Sequence, residues 1–370
     1  MEKEKKKKKW FKKAHLRELL EKVVFSVFLF KYKKYKNKDI KQYFNSDIQR
    51  KKEKNILIVC LDALGDNVIK LEAIKKIAEY AGAPKNITIL CEEKWESLYQ
   101  GYGYDIFTEN NKRNIFKRAL IYRKINSFNY DVVIHYDFSS KLESEEYIFS
   151  KNGIEKLNCL DNVDYILDKN CLILKKLTGK EYTWDEVRPS IENFRTILVE
   201  TTKNSNEKEL LPIAVGIGAA TSLKMMSPAK IIEIVYFLSN RFPERELLLL
   251  GTGKRQKKYV EDIINDIKNT NIKNFVDKTT LKESIQLLDN SYFFIGFDSG
   301  LGNIAFSLRK KIISLFWQNS FKLWMHDKFT DSKVIYGDGK NPINDGINGN
   351  DIVNSITIEQ VKKALDELGL

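Results

Sequence analysis

The chain has 370 residues, of which 63 are Lys or Arg and 50 are Asp or Glu, a net charge of +13; 43% are hydrophobic and 12% aromatic. Residues 1–54 hold 20 of the basic and 7 of the acidic side chains, so they carry the whole +13, and the other 316 residues, with 43 of each sign, are neutral. A charge confined to one segment excludes a protein that coats nucleic acid along its body, the apolar content excludes a disordered main body, and the length suits two domains.

The first 54 residues divide into a lysine cluster, an apolar stretch from Trp10 to Phe30 and a second lysine cluster. Leu16, Leu19, Leu20, Val23, Val24, Val27 and Phe30 recur at helical spacing. The densest run, VVFSVFLF, spans about 12 Å as a helix against a bilayer core of roughly 30 Å, too short to cross. Lys31, Lys33, Lys34 and Lys36 follow where a signal peptide would need small residues. Two arrangements suit this pattern: an amphipathic helix lying on an anionic membrane surface, or a helix docked on the protein's own body beside a solvated lysine run. Residues 1–54 are therefore expected to form a basic amphipathic extension that places the protein peripherally on the inner face of the cytoplasmic membrane.

From Asn55 onward, apolar strands alternate with amphipathic helices. NILIVC (55–60), ITILC (87–91) and YDVVIHY (130–136) read as strands, the first followed by a helix from near Asp66, while residues 139–190 read as mixed helix and loop. ETTKNSNEKELLP (200–212) suits a linker. A second series follows: IAVGI (213–217), a helix capped by Ser227 with Pro228 in its first turn, ELLLLG (246–251), a helix over 254–268, a helical Leu281–Leu288, YFFIG (292–296), a short helix from Leu301, KIISLF (311–316) and a terminal helix from Thr357. Continuous apolar strands separated by helices predict α/β architecture with parallel sheets, and two such series predict two Rossmann-like, doubly wound domains, 55–205 and 206–350, facing a central cleft, followed by a C-terminal helix over 351–370.

Cys60, Cys91, Cys159 and Cys171 lack the close pairing of a zinc site and read as reduced, structural thiols of a cytoplasmic protein. His15, His135 and His326 have no ligand or triad companions at readable spacing, and no Walker segment is present. No metal is expected.

Ligands of open α/β sheets bind beyond the carboxyl ends of strands, and three loops at such ends carry candidate chemistry. LDALGDNV (61–68) sets Asp62 and Asp66 around Gly65; Asp66 is either a helix-capping carboxylate or a general base. GIGAATSLKMMSP (216–228) offers Gly218, Ala219 and Thr221 for close backbone approach and Lys224 as a cation for phosphate, or as a solvated lysine. FFIGFDSGLGNIAFSL (293–308) puts Asp298, Ser299, Gly300 and Leu301 at a helix start whose free N–H groups suit a diphosphate, with Asn303 just inside; the alternative is a routine capped turn. Gly251 closes the following strand of the series.

Together these loops, in this order, resemble glycosyltransferase family 9, the heptosyltransferases of lipopolysaccharide core synthesis. NILIVCLDALGDNVIKLEAIKKI resembles the family's opening strand and L-x-x-x-GD turn, GIGAATSLKMMSPAKI its phosphate-lysine loop, and FFIGFDSGLGNIAFSLRKKIISLFW its D-[ST]-G-x-x-H-x-A-x-x-L segment. The resemblance implies a GT-B fold with acceptor bound by the first domain and nucleotide sugar by the second. It implies inverting transfer of a sugar, heptose among the candidates, from a nucleotide-diphosphate donor to a lipid-linked or polysaccharide acceptor, with no metal or other cofactor. It further implies Asp66 as the base, Lys224, Asp298, Ser299, Gly300 and Leu301 as the donor-diphosphate site, and Gly65, Asp62, Gly218, Ala219, Thr221, Gly251 and Asn303 as further donor or acceptor contacts. The chain departs from the family pattern at Val215 or Gly216 and at Asn303, where histidine is usual, and after GTG, where an acidic residue is usual and Lys254, Arg255 and Gln256 stand. A GT-B transferase on a different acceptor and an inactive nucleotide-sugar-binding homologue are the alternative readings; nucleic acid is not an expected partner.

Overall fold

The computed structural model describes residues 19–29, 52–109, 114–128, 130–136, 148, 164–191, 210–267, 271–316, 326–337 and 351–370. The first lysine cluster, the second up to Lys51, His15, Cys159 and most of the 200–212 stretch lie outside them, as do the side chains of Lys254 and Arg255. The chain forms two compact units: Met1–Asp62, Ile74–Asp161 and Lys176–Lys180 make the first, and Ala63–Ala73, Asn162–Lys175 and Glu181–Leu370 the second. The second unit thus includes the loop that follows the first strand.

In the first unit, α1 covers residues 19–28. It is followed by β1 (Ile56–Cys60), α2 (Leu64–Ala81, shared with the second unit), β2 (Ile87–Glu92), β3 (Asp105–Glu109), α3 (Ile115–Ile125) and β4 (Val132–His135). The strands lie in the order β3-β2-β1-β4, all parallel. Every residue of β1 and all but the last of β2 are buried, which is why their sequences read as unbroken apolar runs. Cys60 and Cys91 stand opposite each other at the ends of these two strands as buried free thiols. The docked arrangement holds for one face of α1: Val24, Phe25 and Leu29 enter the core, and the Phe25 ring lies 5.5 Å from that of Tyr122 on α3. Arg118 of α3 fastens the helix by pairing with Glu21 at 3.2 Å and with Glu109 at 3.1 Å.

The second unit contains α4 (Ile166–Thr178), α5 (Trp184–Val187), β5 (Ile213–Gly216), α6 (Pro228–Arg241), β6 (Leu247–Leu250), α7 (Lys254–Asp266), β7 (Ile272–Asn274), α8 (Leu281–Asp289), β8 (Phe293–Phe297), α9 (Gly300–Ser307), β9 (Lys311–Phe316), β10 (Ser332–Tyr336), α10 (Asp351–Asn354) and α11 (Ile358–Glu367). Its six strands run parallel in the order β10-β9-β8-β5-β6-β7, the strand order of a complete Rossmann sheet. The chain winds outward from β5 to β7, returns to pair β8 on the other side of β5, and winds outward again. The switch point therefore lies between β5 and β8, and the loops that leave these two strands are the ones the sequence singled out. Gly216 and Gly296 face each other there. A Cβ on Gly296 would lie 2.7 Å from the Gly216 carbonyl oxygen, so side chains are excluded from this part of the sheet.

The helix starts follow local chemistry. Ser227 caps α6 by accepting from the Lys230 N–H, with Pro228 in the first position. Thr357 and Gln360 form a reciprocal capping box on α11, at 3.3 and 2.8 Å, which makes Gln360 the cap partner. Such caps contribute about 1 kcal/mol each. Three strands escaped the sequence pattern. β3 and β7 carry charged or polar residues at the sheet edges, and β10, also an edge strand, reads SKVIY, too polar to stand out.

Candidate active site

The site is built in the second unit from two helix starts and one loop. Asp66 is the third residue of α2, half-buried in its first turn; the helix begins two residues before the expected point, at Leu64. α9 begins at Gly300, directly after β8 and the Asp298–Ser299 turn. These two N-termini pack against each other. A Cβ on Gly65 would collide with the Asn303 side-chain amide and lie 3.5 Å from the Gly300 Cα. A Cβ on Gly300 would lie 2.9 Å from Leu64 Cδ2. Neither position tolerates a side chain, which gives Gly65 and Gly300 a steric reason to be glycine. Two helix N-termini, each equivalent to roughly +0.5 charge, thus meet at one place.

Lys224 stands on the opposite rim of the switch point, at the end of a single helical turn over Ser222–Lys224. Its Nζ pairs with Asp298 Oδ2 at 2.5 Å, with both side chains partly shielded from water. Asp298 is therefore not the cap of α9. The residue in that position is Ser299, yet its hydroxyl makes no cap bond and its Oγ is buried without a hydrogen-bond partner among the described residues. The N–H groups at the start of α9 thus receive no cap bond from the Ser299 side chain.

Gly218, Ala219 and Gly251 line the neighbouring part of the crevice. Gln256 of α7 fills the space their small size leaves: its Nε2 donates to the Ala219 carbonyl at 3.1 Å, and a Cβ on Gly218 would lie 2.6 Å from its Cγ. Thr221 is exposed just before the Lys224 turn, and Asp62 is buried in the first unit. Asp277, at the end of β7, adopts left-handed backbone with φ 58°, which Asp tolerates better than most residues. Its Oδ1 accepts from Gly253 N–H and Thr252 Oγ1, and its Oδ2 pairs with Lys257 Nζ at 3.1 Å. The Lys257 ammonium, then the Gly253 N–H and the Thr252 hydroxyl, hold this carboxyl below the usual carboxylate range.

Behind Asn303 lies a buried polar cluster that sequence spacing does not reveal. His326 Nε2 is 2.8 Å from Asn303 Oδ1, and its Nδ1 is 3.1 Å from the Tyr165 hydroxyl on the approach to α4. The imidazole stacks on Phe306 of α9, with centroids 3.8 Å apart and planes 1° apart. Arg188 covers the Phe306 ring at 4.2 Å, donates to the Phe306 carbonyl at 3.3 Å and pairs with Asp331 at 2.7 Å. Burial, then the nearby Arg188 charge, lowers the His326 pKa to about 3, so the ring is neutral. Burial also raises the Tyr165 hydroxyl far above its ordinary value, so it stays a donor. The signal available in the sequence was only a lone histidine, 23 residues from Asn303.

Residues 238–342 match the family model of glycosyltransferase family 9 (heptosyltransferase). Lipooligosaccharide heptosyltransferase 2 of Campylobacter jejuni is 25% identical over 289 residues, covering 74% of this chain and 85% of the relative. Among solved structures, a family 9 glycosyltransferase from Veillonella parvula superposes with a TM-score of 0.65 at 18% identity, covering 85% of this chain and 97% of that one. The E. coli heptosyltransferase WaaC with ADP gives 0.61 at 13% identity, covering 85% and 99%. These structures share the GT-B fold, and the two parallel-sheet units described above are its components.

Proposed function

We propose that this chain is a glycosyltransferase of family 9, whose model it matches over residues 238–342, and that it transfers a heptose, with inversion and without a metal, from a nucleotide-diphosphate donor to a lipopolysaccharide-type acceptor. The observation that carries this reading is the meeting of the α2 and α9 N-termini beside the Lys224–Asp298 pair. A departing diphosphate gains negative charge in the transition state, and preorganised N–H groups with one ammonium meet that charge where it develops. Gly300 and Leu301 supply the N–H groups, Ser299 a hydroxyl without a partner, and Asp298 keeps Lys224 at the mouth of the site. Asp66, one residue beyond Gly65, takes the proton of the acceptor hydroxyl. The acceptor oxygen then bonds to the anomeric carbon as the bond from that carbon to the diphosphate oxygen breaks, and the electron pair leaves on the diphosphate. Attack from the face opposite the leaving group inverts the anomeric centre.

The acceptor of such a reaction is lipid-linked, and the free face of α1 suits a membrane surface. Leu19, Leu20, Val23 and Val27 are 48–70% exposed, as are Phe116 and Leu120 on the adjoining α3 at 54% and 52%, with Lys22, Lys117, Arg123 and Lys124 exposed around them. Among the described residues no helix is long and apolar enough to cross a membrane. The enzyme is therefore read as peripheral on the inner face of the cytoplasmic membrane, with residues 1–54 against the anionic lipid.

A thermal-shift panel of ADP-, GDP-, UDP- and CDP-sugars tests the donor site. The accepted donor at about 100 times its dissociation constant stabilises the protein by about 2.7 kcal/mol, and this is lost in Lys224→Ala. No shift with any nucleotide sugar, or an equal shift in the variant, defeats the reading.

A further inference from the structure

We infer that Tyr165 and His326 are positioning residues that fix the orientation of the Asn303 amide, so that its NH2 group, and not its oxygen, faces the site. The inference rests on the transferase reading above, because the site it serves is the one between α2 and α9.

An amide oxygen only accepts, so the 2.8 Å contact between His326 Nε2 and Asn303 Oδ1 requires the ring proton on Nε2. A neutral ring protonated there has a lone pair on Nδ1, and the Tyr165 hydroxyl at 3.1 Å donates to it. Tyr165 is itself held by an edge-to-face contact with Trp184, whose indole N–H donates to Asp168 at 2.7 Å. Phe306 fixes the plane of the imidazole from one side. The chain of donors therefore runs in one direction, from Tyr165 through His326 to Asn303 Oδ1.

The consequence lies at the far end. With Oδ1 occupied, Asn303 Nδ2 points at Gly65, where a methyl group would displace it. Asn303 lies 9% exposed in the first turn of α9, next to the N–H groups of the helix start. Its two N–H bonds extend that set of donors toward the start of α2. Reversing the proton on His326 would turn the amide over and present an oxygen to the same place, where the developing negative charge would be repelled. An asparagine on a mobile rotor would spend much of its time so placed; the Tyr165–His326 pair removes that option.

The test uses the full chain labelled with 15N-histidine. Only three histidines are present, and the signal lost in His326→Gln assigns the one of interest. The expected spectrum shows a neutral ring protonated on Nε2 at pH 7; a ring protonated on Nδ1, or a charged ring, overturns the inference. Kinetics supply the second arm. Asn303→Ala should lower kcat by about 100-fold, as removal of a preorganised donor does. Tyr165→Phe removes one oxygen, keeps the packing on Trp184, and should lower kcat by about fivefold with the donor KM changed less than about twofold. In the Asn303→Ala background, Tyr165→Phe should change kcat by less than about 1.5-fold, because residues acting through one group do not add. An equal fivefold loss in both backgrounds means that Tyr165 acts elsewhere and overturns the inference. Unchanged kcat in Asn303→Ala, with transfer abolished in Asp66→Asn, overturns it while the transferase reading stands. Retained transfer in Asp66→Asn strikes the reading of the base and not the tautomer.

Discussion

Acidification from pH 7 to pH 5 singles out His326 by a linkage that the geometry sets. In the folded protein the imidazole is buried among Tyr165, Asn303 and Phe306, with the Arg188 guanidinium on the other face of Phe306 and Asp331 pairing that guanidinium, and its pKa falls to about 3. In the unfolded chain the same ring titrates at the ordinary value of about 6.5. Between these values the unfolded state binds a proton that the folded state refuses. Stability is therefore complete above pH 6.5 and is lost as the pH falls toward 3. Each unit below 6.5 costs about 1.4 kcal/mol, so the descent to pH 5 costs about 2 kcal/mol, before most carboxylates begin to titrate. Urea unfolding of the wild type and of His326→Gln at pH 7 and pH 5 measures this. His15 and His135 contribute alike to both proteins and cancel in the comparison. The wild type should lose about 2 kcal/mol more than the variant over this range. Parallel losses would mean that the ring titrates normally in the fold, and would refute both its burial and the donor chain built on it.

Gly65→Ala should displace the Asn303 amide and, as overpacking does, destabilise by about 1–3 kcal/mol while lowering kcat; a variant with wild-type melting and turnover would remove the close approach of the two helix starts. Arg118→Ala takes the guanidinium from Glu21 and from the buried Glu109, which still accepts from the Tyr122 hydroxyl at 2.9 Å, so a loss of about 3 kcal/mol in urea is expected, and an unchanged midpoint would contradict the role given to this pair in seating α1. The double substitution Val23→Glu, Val27→Glu touches exposed positions alone, and should abolish co-sedimentation with anionic liposomes while leaving the melting temperature within about 2 °C; undiminished sedimentation would remove the membrane surface from α1.

Most of the architecture was legible because parallel strands covered on both faces leave unbroken apolar runs. β1, β2, β5, β6, β8 and β9 stand where NILIVC, ITILC, IAVGI, ELLLLG, YFFIG and KIISLF predicted strands. The edge strands β3, β7 and β10 were not legible, because water on one side admits Asp105, Lys273 and Lys333, which erase the pattern. Asp66, Lys224 and the Asp298–Leu301 turn were singled out through their place after strands, and the Rossmann strand order puts the last two loops together at the switch point. What the sequence hid was long-range. Tyr165 and His326 are 161 residues apart, and no spacing rule joins them. Asn303 read as the loss of a histidine from the family pattern; the structure sets an imidazole, that of His326, behind its amide. Asp277 escaped for a similar reason, since its carboxylate serves the Gly251–Gly253 turn from a neighbouring strand.

In the proposed reaction Asp66, at the meeting of two helix starts, removes the acceptor proton for inverting transfer. The direct measurement is turnover of Asp66→Asn, in the full chain, with a nucleotide-activated heptose and a lipid-linked acceptor. The substitution keeps the size of the side chain and removes its basicity, so kcat should fall at least about 100-fold with the melting temperature and donor binding unchanged, and the wild-type product should carry the inverted anomeric configuration. Turnover within about threefold of the wild type, or retention of configuration, would contradict the account.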